Sequence, residues 1–353
     1  MSAPGIFART APVITYAARR LALVPIVLFG MLLLVFTVSQ LVPVDPVAYF
    51  LGSRQEALGP QSEAVVEALE RRWGWDKPIY ERFVIYVSNI VQGDLGESSS
   101  TRRPVIDDLI QFVRATLELI VFTLIVALAI AIPLGIVAAH RRGRIVDTLF
   151  NVITVVGVST PSFWLALLSL NLFYGQLGWA AGAGRLDVFL VEPPRVTGFI
   201  VIDSILAGRL DALVNALHHL ALPVGILGLV IGVYYARVVR TEMIEALDSD
   251  FTRTAIGKGL SDRAVLYGHA LRNALTSTIT LTGLSFGSLM TGAIVVEAIT
   301  GWPGLGSYTF RVTTRLDLPA IAGVALTVGL IYMLLNLIVD LLYAVADPRV
   351  RVR

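Results

Sequence analysis

Residues 253–275 read RTAIGKGLSDRAVLYGHALRNAL, a basic stretch set between two long apolar runs. Apart from its glycines it is built from helix-forming residues, and it is broken at Gly257 and Gly259. The spacing predicts a short helix, a glycine turn and a second helix. Gly259 can adopt the left-handed conformation that such a turn needs, and Ser261 can cap the helix that follows. A membrane bundle has little use for a polar helical hairpin of this kind, so it reads as a docking piece for a soluble partner. Phe251, Thr254 and Ala255 are expected to share one face of the first helix, with Gly257, Lys258 and Gly259 forming the break.

The surrounding composition sets the solvent. Hydrophobic residues make up 56% of the 353-residue chain and charged residues only 15%, with a mean hydropathy of +0.75. Apolar runs near the ~20 residues that span a bilayer lie at Leu21–Val42, Leu119–Ala139, Thr148–Gly184, Ala212–Ala236, Asn273–Val296 and Leu318–Val339. The third run is too long for one span. It is expected to be a kinked helix extending into a loop, because Pro161 in Ser159-Thr160-Pro161 removes one backbone bond. The run at Leu21–Val42 exceeds the ~7–15 residues of a signal core and is followed by QLVPVDP rather than a small-x-small site. It is expected to be a retained helix.

Arginines decide the orientation. With both termini inside, the inner segments carry Arg9, Arg19, Arg20, Arg141, Arg142, Arg144, Arg237, Arg240, Arg253, Lys258, Arg263, Arg272, Arg349, Arg351 and Arg353. The short outer loops carry only Arg185, Arg195, Arg209, Arg311 and Arg315. This bias favours cytoplasmic termini. Residues 43–111 form a long polar segment, with amphipathic spacing at Val65, Val66, Leu69 and Trp73 and again at Phe83, Tyr86, Val87 and Ile90, and glycine turns at Gly93 and Gly96. A solvated cap and a docking surface formed by Arg71, Arg72 and Trp73 are equally open readings of it.

Several chemistries are disfavoured. The chain has no cysteine, which excludes disulfides and thiol catalysis. A phosphate loop needs a GxxxxGK string followed by Ser or Thr. Gly257-Lys258-Gly259 lacks that hydroxyl and a preceding strand, so ATP is not expected to bind this chain. His218 and His219 are adjacent and therefore point about 100° apart on a helix. They read as interfacial polar residues rather than a metal pair. His269 reads as structural. Glu118, Glu297 and Asp340 sit near span ends, where charge is tolerated. Glu297 precedes a Gly/Pro-rich loop with Trp302 and Pro303. It is weighed as a hydrogen-bond partner of that loop against a role at an outer gate. Gly228–Gly232 and Gly283–Gly287 have the spacing of close helix contacts. No catalytic set, nucleic-acid patch or internal repeat is visible.

With these motifs in hand, the chain resembles the permeases of ATP-binding-cassette (ABC) importers, of the oligopeptide/dipeptide (nickel) type and the first-subunit kind. The resemblance rests on the 253–275 stretch together with GDLGES at 93–98, TLEL at 116–119, IPLGIVAA at 132–139, STPSFW at 159–164, WPGLG at 302–306 and NLIVDLLYAVADPRVR at 336–351. Family members usually carry a proline shortly after HALRNAL, where this chain has Thr276-Ser277. The resemblance implies an all-α polytopic membrane protein with six transmembrane helices, the MetI-like fold of type I importers. Spans are then expected near 21–42, 113–139, 148–178, 212–236, 273–297 and 318–343. Residues 1–20 and 347–353 are expected in the cytoplasm, residues 43–111 outside, and a coupling insert at 248–272. Implied partners are a second permease subunit, two ATPase subunits (or one fused) that bind ATP and Mg, an extracytoplasmic solute-binding protein and the lipid bilayer of a bacterial inner membrane. The implied cargo is a di- or oligopeptide. Same-family importers of nickel, glutathione or glycosides are the nearest alternative, and a self-contained secondary transporter or channel is the alternative of another class.

The topology is directly testable in a chain without cysteines. A single cysteine at Ser249 is expected to resist an impermeant thiol reagent added to intact cells and to react after permeabilisation. Labelling from outside would overturn the arrangement.

Overall fold

The computed structural model of the chain describes residues 6–41 and 77–346. The helices are α1 Ile6–Leu41, α2 Ile79–Val91, α3 Val105–His140, α4 Ile145–Ser159, α5 Ser162–Ser169, α6 Ile200–Leu206, α7 Leu210–Asp248, α8 Asp250–Gly257, α9 Leu271–Thr300, α10 Leu305–Thr314 and α11 Leu318–Ala346. Two π-helical turns occur, at Leu170–Gln176 after α5 and at Ala264–Ala270 before α9. The only β pairing among the described residues is an isolated bridge between Glu97 and Pro104. The fold is therefore all-α. Leu23–Leu41, Val105–His140, Leu210–Asp248 and Leu318–Leu337 are each long and apolar enough to cross a membrane. Two further bent pairs bring the described spans to six if each pair counts as one. The 63–73 helix expected from the sequence lies outside the described residues.

Two compact units divide the chain: residues up to Gln111 with those from Thr309 on, and Phe112–Tyr308. In the first unit α1 lies against α11, and α2 folds onto α1. Met31 lies so close to Gly329 that a Cβ there would sit 2.0 Å from the Met31 sulfur. The amphipathic face foreseen on α2 is real. Phe83 meets Phe29 and Phe36 edge-on, and Tyr86 meets Phe36 at 5.5 Å. Gly93 and Gly96 turn the chain at φ 81° and 85°. The loop they shape hangs on Asp317, which accepts from Ser98 Oγ at 2.7 Å and from the Ser100 amide at 2.9 Å. Asp317 also caps α11 through the Ala320 amide.

The second unit centres on α7, which touches α4, α5, α6, α8 and α9. Lipid tails are as apolar as leucine, so membrane helices associate through close packing of small residues and not through the hydrophobic effect. The core shows this. Ala127, Ala131, Ala216 and Ala236 have no exposed surface. A Cβ at Gly135 would lie 2.6 Å from Val239 Cγ1, and one at Gly228 would lie 2.8 Å from Val126 Cγ1. Gly228–Gly232 is thus a contact face between α7 and α3. Apolar side chains that the other described residues leave uncovered, such as Leu149, Val152, Ile153 and Val156 on α4, stay exposed, as a bilayer solvent permits.

The third span differs from expectation. It is not a kinked helix. α4 and the segment Ser162–Gln176 meet at 95°. Pro161 lacks an N–H and holds its predecessor out of the helical region; Thr160 is extended at φ −80°, ψ 121°. The freed end of α4 is satisfied locally, since Thr160 Oγ1 donates to the Val156 carbonyl at 2.7 Å. Farther on, α9 bends by 52° between Gly283 and Ser285, and no break occurs at Thr276-Ser277.

Replacing Gly135 by Val should push α3 away from α7, because the Ala236 carbonyl, 2.9 Å from the added Cβ, cannot yield. Overpacking of this kind costs about 1–3 kcal/mol. The expected outcome is a lower melting temperature of the detergent-solubilised protein, with Gly30→Val, where a Cβ meets nothing within 4 Å, as the neutral control.

Candidate functional site

Two sites stand at opposite ends of α7. The first is the polar hairpin. The last carbonyls of α7 need partners, and Ala246 O receives two hydroxyls, Ser249 Oγ and Thr252 Oγ1, both at 2.6 Å. That double cap turns the chain directly into α8. Gly259 then reverses it at φ 79°, as expected, and Ser261 Oγ accepts from the Ala264 amide at 3.4 Å. The second helix of the hairpin begins as a π-helical turn and runs without interruption into α9.

The faces of α8 are not as the sequence reading had them. Ala255 is buried with Thr252, while Phe251 and Thr254 are exposed. The first-helix face expected to hold all three is split: Thr254 and Ala255 stand about 100° apart at its two edges with Phe251 between them, and the covered edge is the one that Ala255 shares with Thr252. Gly257, Lys258 and Gly259 are exposed. Together with Phe251, Ile256 and Tyr267, which are 43%, 57% and 56% exposed, they form an apolar knob rimmed by charge. Behind it, Leu266 and Ala270 of the π-turn share one buried cluster with Ile136 and Ala139 of α3, Val239, Met243 and Ala246 of α7 and Ala274 of α9. That cluster ties the π-turn to three long helices. An ion pair unnoticed in the sequence braces the same end. Arg240 grips Asp147 with two bonds, Nε to Oδ1 at 2.7 Å and Nη2 to Oδ2 at 3.0 Å, and the Gly143 amide also donates to that carboxylate.

The second site is a set of buried acids at the far end. Glu118 and Glu297 are 3% and 0% exposed. The expectation of a solvated, interfacial position for them is corrected here. Protein donors replace water, which is the condition for burying a charge. Glu118 pairs with Arg185 at 2.5 Å and accepts the Val201 amide at 2.8 Å. Arg185 also donates to the Gly198 carbonyl and lies over the Trp302 ring, 6.0 Å from its centroid. Glu297 accepts from Thr116 Oγ1 at 2.7 Å and from the Gly306 amide at 2.6 Å. Trp302 is buried and donates from Nε1 to the Ala115 carbonyl at 3.0 Å; Pro303 is half-buried. The weighing of Glu297 as a partner of its own loop is the one that the geometry favours.

The histidines serve the neighbouring loop 177–199. His218 Nε2 bonds the Trp179 carbonyl at 2.8 Å, and His219 meets the Gly184 carbonyl and Asp187 Oδ1 at 3.1 and 3.2 Å. Hydrogen bonds from Asn215 and from His219 hold the Asp187 carboxyl below the usual carboxylate range. Among the described residues no group of acidic and histidine side chains has metal-binding geometry. Arg71, Arg72 and Trp73 lie outside the described residues.

Residues 131–352 match the model of the binding-protein-dependent transport system inner membrane component. The chain belongs to that family. It is a multi-pass membrane protein and a transport subunit, not an enzyme. Similarity to curated relatives extends over nearly the whole chain. It is 42% identical to the probable D,D-dipeptide transport system permease protein of Escherichia coli strain K12, over 92% of this chain and 94% of that one. It is 39% identical to the di/tripeptide transport system permease protein of Pseudomonas aeruginosa, over 96% and 99%. It is 34% identical to the glutathione transport system permease protein of an Escherichia coli strain, over 94% and 97%.

The acid at 118 provides a test of the packing. Arg185→Met leaves the Glu118 charge buried without its cation and is expected to destabilise the protein by about 3–5 kcal/mol. The double change Arg185→Met with Glu118→Gln should recover part of that loss in thermal unfolding, because the stranded charge is gone.

Proposed function

We propose that the chain is one of two permease subunits of an ATP-driven importer of di- or oligopeptides. The observation that carries this is α8, a short exposed helix that Thr252 ties to the Ala246 carbonyl, beside the buried cluster that joins α3, α7, the π-turn and α9. Peptide as cargo is supported by the relatives, several of which bear dipeptide or tripeptide transport in their names. A separate pair of ATPase domains binds ATP and Mg and seats against Phe251, Thr254, Ile256 and the Gly257-Lys258-Gly259 turn. A solute-binding protein delivers cargo on the opposite side, where Arg71, Arg72 and Trp73 contribute to docking. The termini and the α8 turn face the cytoplasm, as the arginine distribution supports. Closure of the ATPase pair on ATP moves the α8 turn. The packed cluster behind Leu266 and Ala270 passes that motion to the helices that line half of the pathway, and access alternates. Ala255 acts from the inside, keeping α8 close to its own bundle.

Reconstitution with the partner subunits tests the reading. Peptide uptake should require ATP, the ATPases and loaded binding protein together; gradient-driven uptake by this chain alone would refute it. Within that system Gly259→Val adds a side chain where φ is 79°, a strain of about 1–2 kcal/mol, and Phe251→Asp charges the knob. Both variants should still insert in the membrane at normal levels while uptake collapses. Near-normal uptake in both would remove α8 from the transmission path.

A further inference from the structure

The start of α10 is capped from a distance. The first amides of any helix lack partners within it, and a Ser, Thr, Asp or Asn immediately before the helix usually supplies one. Here that position is Gly304, which has no side chain to offer. The amides are satisfied instead by two other helices. Leu305 N–H donates to Thr116 Oγ1 of α3 at 2.7 Å, and Gly306 N–H donates to Glu297 Oε2 of α9 at 2.6 Å. The Ser307 amide also donates to Glu297. Thr116 completes the circuit by donating its own hydroxyl proton to Glu297 Oε1 at 2.7 Å. The glycines are part of the device. A Cβ at Gly304 would lie 2.3 Å from Glu297 Oε1, and one at Gly306 would lie 2.3 Å from Ile294 Cα. A local cap is thus excluded by the distant one, and the carboxylate sits at the positive end of the α10 dipole. Beside the cap, Phe112 of α3 and Tyr308 of α10 stack at 4.6 Å, and Trp302 Nε1 bonds the Ala115 carbonyl.

We infer that Glu297 and Thr116 are positioning residues of transport: they cap α10 only when the ends of α3 and α9 stand together, and so tie the order of the 301–308 segment to that arrangement. This rests on the importer reading above and assigns the segment to the side where access must open. A buried carboxylate is either fully partnered or costly, which makes the cap a two-state contact rather than a graded one. When α3 and α9 separate at that end, Leu305, Gly306 and Ser307 lose their acceptors together and the loop is released.

The experiment uses the reconstituted complete transporter and measures peptide uptake and ATP hydrolysis on the same preparations. Thr116→Val keeps the volume and removes both hydroxyl functions. Thr116→Ser keeps the hydroxyl. Glu297→Gln keeps the shape but replaces one of the two accepting oxygens by an NH2 donor, so the Thr116 hydroxyl and the backbone amides can no longer all be accepted. Thr116→Val and Glu297→Gln should assemble and retain basal hydrolysis, while peptide taken up per ATP hydrolysed falls about tenfold, a coupling loss of ordinary size. Thr116→Ser should stay near wild type. An unchanged ratio in Thr116→Val overturns the inference. So does a fall of assembly, hydrolysis and uptake in the same proportion, which is the mark of a purely structural role. A wild-type complex that shows no ATP-dependent uptake would instead sink the importer reading itself.

Discussion

A charge buried among lipid-solvated helices must find its partners inside the protein, and much of this structure follows from that constraint. Glu118 and Glu297 are enclosed at one end of the α7 bundle, and each recruits donors from segments far away in sequence. Where apolar surface brings little force to helix association, such contacts specify which helices meet and at what height. Glu118 brings in the 185–201 loop, and Glu297 brings in the Trp302 loop. The alanines and glycines along α3 and α7 then allow the backbones to close on one another.

The opposite end obeys a different rule. There the α8 hairpin is exposed and firmly connected at once. Exposure comes from the Gly259 reversal, which places Phe251, Ile256 and Lys258 outside. Connection comes from the two hydroxyls on the Ala246 carbonyl, from the Leu266–Ala270 cluster and from the Arg240–Asp147 pair. A short helix alone is marginal in water; this one is held because its buried flank, Thr252 and Ala255, belongs to the bundle.

The sequence made the membrane class, the hairpin, the Gly259 turn and the amphipathic α2 legible. All of these rest on local signals: apolar run length, a glycine between helix formers, or spacing along one helix. It also located Glu297 beside a loop that it was weighed to serve. The Arg240–Asp147 pair and the Thr116–Glu297 bond were not legible, since their partners stand 93 and 181 residues apart. The Asp317 cap had a local signal, an acid just before Leu318-Pro319 at a helix start, and could have been found.

Composition and periodicity by themselves determined that the chain lives in a bilayer and where its polar hairpin lies, because both depend on residues close in sequence. Only the tertiary structure decided that Ala255 faces inward, that the third span turns by 95° and that α10 is capped by two distant helices. Those outcomes depend on which surfaces the neighbouring helices cover, and no pattern within a single helix encodes its neighbours.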